Sequence, residues 1–136
     1  MRKLLSIFLA VALFAAPSLG EARSLELRAY EFYENVVNGD YDDVWDMLTT
    51  AIQQDISQED FIRELEAFFE ETDFNYDNLE IVEQRGNYAV TEAIVTLSSE
   101  KFYKSFCEKT LWVRRGNSWY VADANLRCDY DPLAGR

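Results

Sequence analysis

The stretch Arg85-Gly86-Asn87-Tyr88-Ala89-Val90-Thr91-Glu92-Ala93-Ile94-Val95-Thr96-Leu97 is where the chain changes period. Before it, apolar residues recur every three or four positions. Within it they alternate, with Tyr88, Val90 and Ile94 on one parity and Ala89, Ala93, Val95 and Leu97 on the other. β-Branched residues at a period of two describe a pleated strand, and Arg85-Gly86-Asn87 describes the turn before it. Residues 79–85 then read as the preceding strand. Ser98-Ser99-Glu100 turns the chain again, and Phe102 to Arg114 makes a long third strand. Arg115-Gly116-Asn117-Ser118 is a hairpin signal, and Trp119 to Leu126 makes the fourth strand.

Upstream, the spacing is helical. Leu25, Ala29, Phe32, Tyr33, Val36 and Val37 form one face, with Ser24 as N-cap and Asn38-Gly39 as a stop. Asp40 caps a second helix in which Val44, Trp45, Leu48 and Ile52 face one way. Ser57-Gln58-Glu59-Asp60 reads as a capping box, opening a third helix with Phe61, Ile62, Leu65, Phe68 and Phe69 as its stripe. Glu59, Arg63, Glu66 and Glu70 of that helix point to solvent. Three helices followed by a four-stranded antiparallel meander is an α+β arrangement. The long strands are apolar on both faces in places, which predicts a curved sheet wrapped around the helices.

The chain of 136 residues opens with Met1-Arg2-Lys3, then an apolar run from Leu4 to Ala16 broken only by Ser6. Pro17, Ser18, Leu19 and Gly20 are expected to interrupt any helix there. Small residues at Ser18/Gly20 and Gly20/Ala22 predict a signal peptide, residues 1–22, cleaved after Gly20 or Ala22. A run of that length makes about 20 Å of helix, short of a membrane core of about 30 Å. No cysteine lies near the cleavage region, so no lipid anchor is expected. The mature chain is read as one α+β domain over residues 23–128 with a frayed tail over 129–136, secreted or periplasmic.

Charge is unevenly placed. Residues 23–84 hold three basic and eighteen acidic side chains, whereas residues 85–128 hold seven basic and four acidic. The plain reading is a solvated acidic surface; the sharper one is a field for a cationic partner. Nucleic acid is not expected as a partner, because binding it needs Lys or Arg to displace counterions from phosphates.

Cys107 and Cys128 are the only cysteines, and export predicts that they pair. A two-residue Gly116-Asn117 turn would leave them diagonal, at about 7–8 Å, too far for an unstrained bridge. A disulfide therefore demands either a four-residue loop from Gly116 to Trp119 or a β-bulge. The spacing does not suit a redox-active Cys-x-x-Cys site.

Asp73-Phe74-Asn75-Tyr76-Asp77-Asn78 places oxygen donors as a calcium loop would, but Asn78 stands where Gly is required and Gln84 where Glu is required. The segment is read as a polar turn, and no metal site is predicted. The sequence contains no histidine, which removes Ser-His-Asp and Cys-His arrangements. No glycine-rich phosphate loop is present either, and no cofactor is predicted.

The first helix, the phrase Asn38-Gly39-Asp40-Tyr41-Asp42-Asp43-Val44-Trp45-Asp46-Met47-Leu48 and the closing hairpin from Trp112 to Val121 together resemble the nuclear-transport-factor-two-like family. The resemblance spans about the whole mature region and implies a cone-shaped α+β roll. In that family ligands enter the open end of the cone, and cofactor-free isomerases and dehydratases work there with an acid or base. Their constellations do not map onto this chain residue by residue. If their parities face inward, Glu92 and Asp123 are the catalytic candidates. The alternative puts them on the outer face or in cross-strand pairs with Lys104, Lys109 or Arg114. Tyr30 and Tyr33 are the candidate ligand contacts, because tyrosine alone among the core aromatics offers a polar tip.

The leading expectation is an exported, non-enzymatic binding module for a small apolar ligand or a partner protein. The alternatives are a cofactor-free proton-transfer enzyme, and an acidic-surface inhibitor or assembly factor for a cationic partner. A homodimer through the sheet is kept open as an assembly.

Overall fold

A computed structural model describes residues 17–136, with side chains from Ser24 onward. The charged start and apolar run of the expected signal peptide lie outside the described residues. Helix α1 spans Pro17–Asn38. It starts earlier than the expected Ser24 cap, and the segment expected to interrupt a helix forms its first turns. Proline is compatible with this because its missing N–H has no partner at a helix start. Leu25, Ala29, Phe32 and Tyr33 are buried along one stripe, as the spacing predicts. The helix ends at Gly39 with φ +74°, where Gly39 N–H bonds to Val36 O at 3.2 Å and Asp40 N–H to Asn35 O at 2.8 Å. Those two bonds are the 5→2 and 6→1 pair of a Schellman motif.

The expected second helix is two helices, α2 over Tyr41–Asp46 and α3 over Thr50–Asp55. Tertiary hydrogen bonds divide it. Val121 N–H donates to Met47 O at 2.8 Å, and Thr49 N–H donates to Val121 O at 3.0 Å, so Leu48 bridges to the sheet. Asp40 caps α2 with its backbone carbonyl alone, whereas the Thr49 hydroxyl accepts from Ile52 N–H to start α3. Helix α4, Gln58–Phe69, begins where predicted, with Ser57 Oγ accepting from Asp60 N–H at 3.1 Å. None of its residues is fully buried. The fold therefore has four helices among the described residues, where three were expected.

The sheet is the predicted antiparallel meander in the order β1-β2-β3-β4, formed by Asp73–Arg85, Tyr88–Ser98, Tyr103–Arg115 and Ser118–Arg127. β1 starts six residues before the expected strand. The segment weighed as a calcium loop or polar turn is thus paired strand, with Asp73 opposite Ser98 and Asp77 opposite Ile94. Asp73, Asn75 and Asp77 alternate with half-buried Phe74 and Tyr76. Side chains two apart on a strand are about 7 Å apart, which spreads those oxygens too widely for one calcium ion. Asn78, with φ +53°, sits in a bulge before Glu80.

The last hairpin resolves the cysteine register. Arg115 pairs with Ser118 across a two-residue turn and Trp112 pairs with Val121. Opposite Leu111 the partner becomes Asp123, and opposite Lys109 it becomes Leu126, so β4 gains one residue at each of two bulges. The longer loop is not formed; the bulges supply both residues. Cys107 and Cys128 are joined in a disulfide with Cα atoms 5.8 Å apart.

The main core lies between the concave face and α1–α2, centred on Trp112, Trp119, Val95 and Val121. Trp112 Nε1 donates to Thr91 Oγ1 at 2.9 Å, satisfying both buried groups. The expected frayed tail packs instead. Leu133 is fully buried on the convex face against Val90 and Leu111, flanked by Tyr88, Ala122 and Leu126. Arg85 donates to Leu133 O at 3.2 Å, Lys109 donates to Tyr130 O at 3.2 Å, and the Arg136 guanidinium stands over the Tyr88 ring. Among the described residues, no helix is long and apolar enough to cross a membrane.

Two outcomes check this arrangement in denaturant titrations. Replacing both cysteines by alanine should cost about 3 kcal/mol, the loop-entropy value for a bridge closing roughly 20 residues. Leu133→Ala should cost about 2–3 kcal/mol as a buried leucine does. A loss below about 0.5 kcal/mol, the level of an ordinary surface substitution, would mean that the tail does not pack.

Candidate ligand cavity at the open end of the roll

On β3 the inward parity runs Phe106, Glu108, Thr110 and Trp112, so alternation carries a carboxylate into the interior. Glu108 is 5% exposed and Thr110 fully buried. Facing them from α1 is Tyr33, 1% exposed. Its hydroxyl donates to Glu108 Oε1 at 2.7 Å and lies 3.3 Å from Thr110 Oγ1. A hydroxyl has one proton to give, so Thr110 is the donor to Tyr33. The ring of Tyr33 is held between neighbours, stacked on Tyr76 at 5.1 Å and edge-on to Phe32 at 5.4 Å. Tyr76 in turn donates to Glu34 Oε2 at 2.8 Å.

Burial dominates the electrostatics. It pushes the Tyr33 phenol far above the ordinary tyrosine range, and the negative charge of Glu108 adds to the effect. Tyr33 therefore acts as a hydrogen-bond donor and not as a base. Burial also raises the Glu108 carboxyl above the usual carboxylate range, while the Tyr33 hydrogen bond opposes the rise. The Tyr76 phenol is pushed up to about 12 by partial burial and then by its bond to Glu34.

Glu108 forms part of the wall of a cavity of about 370 Å³. Leu65, Phe68 and Phe69 of α4 form one side, and Phe74 of β1, Val95 and Leu97 of β2 and Phe106 of β3 form the other. Asn125, at a bulge of β4 with φ +59°, supplies the second polar group. The volume lies in the lower part of the roughly 300–1,000 Å³ range of small-molecule sites. A larger depression of about 460 Å³ lies between Glu71-Thr72 and Ser99 to Phe102. Its lining is mostly polar and charged, with none of it fully buried, so it lacks the apolar walls of a small-molecule site.

The sequence candidates are placed elsewhere, with one exception. Glu92 faces outward, because the inward parity of β2 is Ala89, Thr91, Ala93 and Val95. It sits opposite Lys109, and its carboxylate lies within 4.8 Å of both disulfide sulfurs, which offer no thiolate while joined. Asp123 would share the parity of Trp119 and Val121 on a regular strand, but the bulge after Val121 turns it outward. It is exposed, lies opposite Leu111 and accepts from Ala124 N–H at 3.0 Å. Tyr30 is 40% exposed and lines a separate groove with Glu34 and Tyr76. Tyr33 is the exception: it is buried with its hydroxyl on Glu108, behind the cavity rather than at its mouth. Glu108 is the residue that sequence reasoning missed. Its signal was legible, an acid flanked two residues away by Phe106 and Thr110 on a strand that also carries Trp112.

No protein-family model matches the chain, and no curated protein matches its sequence. Solved structures do share its fold. A SEC-C motif containing protein from Rhodopseudomonas palustris is similar at 15% identity and a TM-score of 0.58, covering 77% of this chain and 80% of that one. A proposed scytalone dehydratase from Novosphingobium aromaticivorans is similar at 14% identity and a TM-score of 0.53, covering 87% and 95%. A protein from Catenulispora acidiphila follows at 15% identity and a TM-score of 0.51, covering 86% and 91%. The likeness is one of fold, and at that level it agrees with the nuclear-transport-factor-two-like resemblance.

The buried pair makes a pH-dependent prediction. A carboxyl raised in the folded state binds its proton more tightly there than in the unfolded chain. Stability is then highest below the ordinary glutamate pKa of about 4.3 and declines as pH rises toward the raised value. Glu108→Gln, which keeps an acceptor for Tyr33, removes this penalty. Thermal melts should show a larger benefit of the substitution at pH 7.5 than at pH 4, and an equal effect at both would contradict the assignment. Tyr33→Phe strips the carboxyl of its buried donor and should cost about 1–3 kcal/mol at neutral pH.

Proposed function

We propose that this protein is an exported binding module that holds a small apolar ligand in the open end of its roll. The observation that carries the reading is the cavity. It is walled by apolar side chains from α4 and three strands, with one buried carboxyl and one amide to orient what enters. Export is supported by the signal-peptide pattern over residues 1–22 and by the Cys107–Cys128 disulfide, which suits an oxidising compartment.

A second reading draws on the same wall. Glu108 is a desolvated carboxyl with a raised affinity for its proton and a phenol beside it, the properties of a general acid or base. The fold likeness to a proposed scytalone dehydratase favours a cofactor-free proton transfer of this kind. Glu108 then takes the role first given to Glu92 and Asp123.

Native mass spectrometry of the protein purified from its own compartment tests the first reading, reporting the mature terminus, the disulfide and any bound small molecule. Calorimetric titration with toluene, a neutral apolar probe, should show saturable binding. Leu97→Trp, which puts a larger side chain on the cavity wall, should abolish it. Equal toluene binding by the parent and Leu97→Trp would place the ligand elsewhere and sink the proposal.

A further inference from the structure

Four phenylalanines, Phe68, Phe69, Phe74 and Phe106, line the cavity. Phe68 and Phe69 meet edge to face with centroids 4.8 Å apart at 84°, and Phe69 and Phe74 at 5.8 Å and 81°. Phe69 also stacks on Tyr41 at 6.1 Å and Phe74 on Tyr33 at 6.2 Å, so these rings are packed together as one wall, and a cation in the cavity meets the ring surface that they leave uncovered. Phe106 closes the set and already has an ammonium on its face, the Lys104 Nζ at 5.3 Å from the ring centroid. Within this lining the ionisable group is Glu108, whose Oε1 is engaged by Tyr33.

The surroundings have the same sign. Helix α4, which contributes Phe68 and Phe69, carries Glu59, Asp60, Glu64 and Glu66 on exposed positions and runs into exposed Glu70 and Glu71. Its one basic residue, Arg63, is engaged by Glu59 at 2.9 Å and Asp60 at 3.1 Å. An acidic approach of this kind concentrates cations at the mouth and repels anions.

We infer that the cavity selects a small organic ammonium, whose charged end faces Glu108 and whose apolar body lies among Phe68, Phe69, Phe74 and Phe106. This rests on the cavity being the binding site, and adds the class of ligand. The alternatives fit less well on physical grounds. A carboxylate ligand would bring a like charge to Glu108 in a poorly solvated place, and a neutral hydrocarbon would bury that group without a new partner. An ammonium brings an opposite charge to the carboxylate and meets the exposed ring surface. Lys104, whose ammonium stands over Phe106, is a like charge that opposes an entering cation.

The test compares four probes that share one ring: benzylamine, benzyl alcohol, benzoate and toluene. Each is titrated calorimetrically into the mature disulfide-bonded protein at neutral pH. Benzylamine should bind about tenfold more tightly than benzyl alcohol, and benzoate should not bind. Glu108→Gln should bring the benzylamine preference close to one while retaining toluene binding, which also reports that the variant is folded. Lys104→Met should tighten benzylamine and leave toluene unchanged. Toluene binding without an ammonium preference would overturn this inference and leave the apolar-ligand proposal standing. Loss of all binding, toluene included, would overturn both.

Discussion

Strand β3 cannot leave either of its faces in water, and much of the architecture follows from that constraint. Inward it carries Phe106 and Trp112; outward it carries Leu111 and Val113. A single helical layer can cover only one side of a sheet, so each side needs its own cover. The concave side is covered by α1 and by the α2 segment, and burying Trp112 there also requires an acceptor for its indole N–H, which Thr91 provides at 2.9 Å. The convex side is covered by the chain's own tail, through Leu133. This explains why residues 129–136 pack: the apolar patch of Val90 and Leu111 gives them something to bury.

The same strand sets the register of its neighbour. A two-residue turn and a disulfide at Cys107–Cys128 are incompatible on a regular ladder. β4 reconciles them with two bulges, which also reverse the direction of Asp123 and bring Asn125 into the cavity wall. The bulges thus tie together the covalent link, the removal of one candidate acid and the placement of a different polar group. Bulges re-aim side chains, and here the re-aimed residues belong to the candidate site.

At the open end the packing is deliberately incomplete in physical terms. Helix α4 buries none of its residues fully, and its phenylalanines border a space of about 370 Å³ that the rest of the chain does not fill. A buried carboxylate beside such a space is costly unless its hydrogen bonds are met. Tyr33, itself bonded to Thr110, meets part of that need and holds Glu108 in one position against the cavity. Position, desolvation and an apolar surround are what a binding or proton-transfer site has in common, and the choice between those roles rests on what enters.

The sequence by itself determined the α+β order of elements, the four-stranded meander, the caps at Gly39 and Ser57, and the need for either a longer loop or a bulge once the cysteines pair. These are consequences of local periodicity and turn chemistry, which act over a few residues and leave a local trace. Only the tertiary structure decided that Met47 to Thr49 would divide a helix, because the reason is a pair of hydrogen bonds to Val121 more than seventy positions away. It alone decided which strand parity faces the helices, since β2 and β3 are apolar on both sides and each parity could have been the inner one. That choice moved the buried acid from Glu92 to Glu108, while a bulge in β4 turned Asp123 outward. A period of two names two faces, and only packing against a third element says which of them is inside.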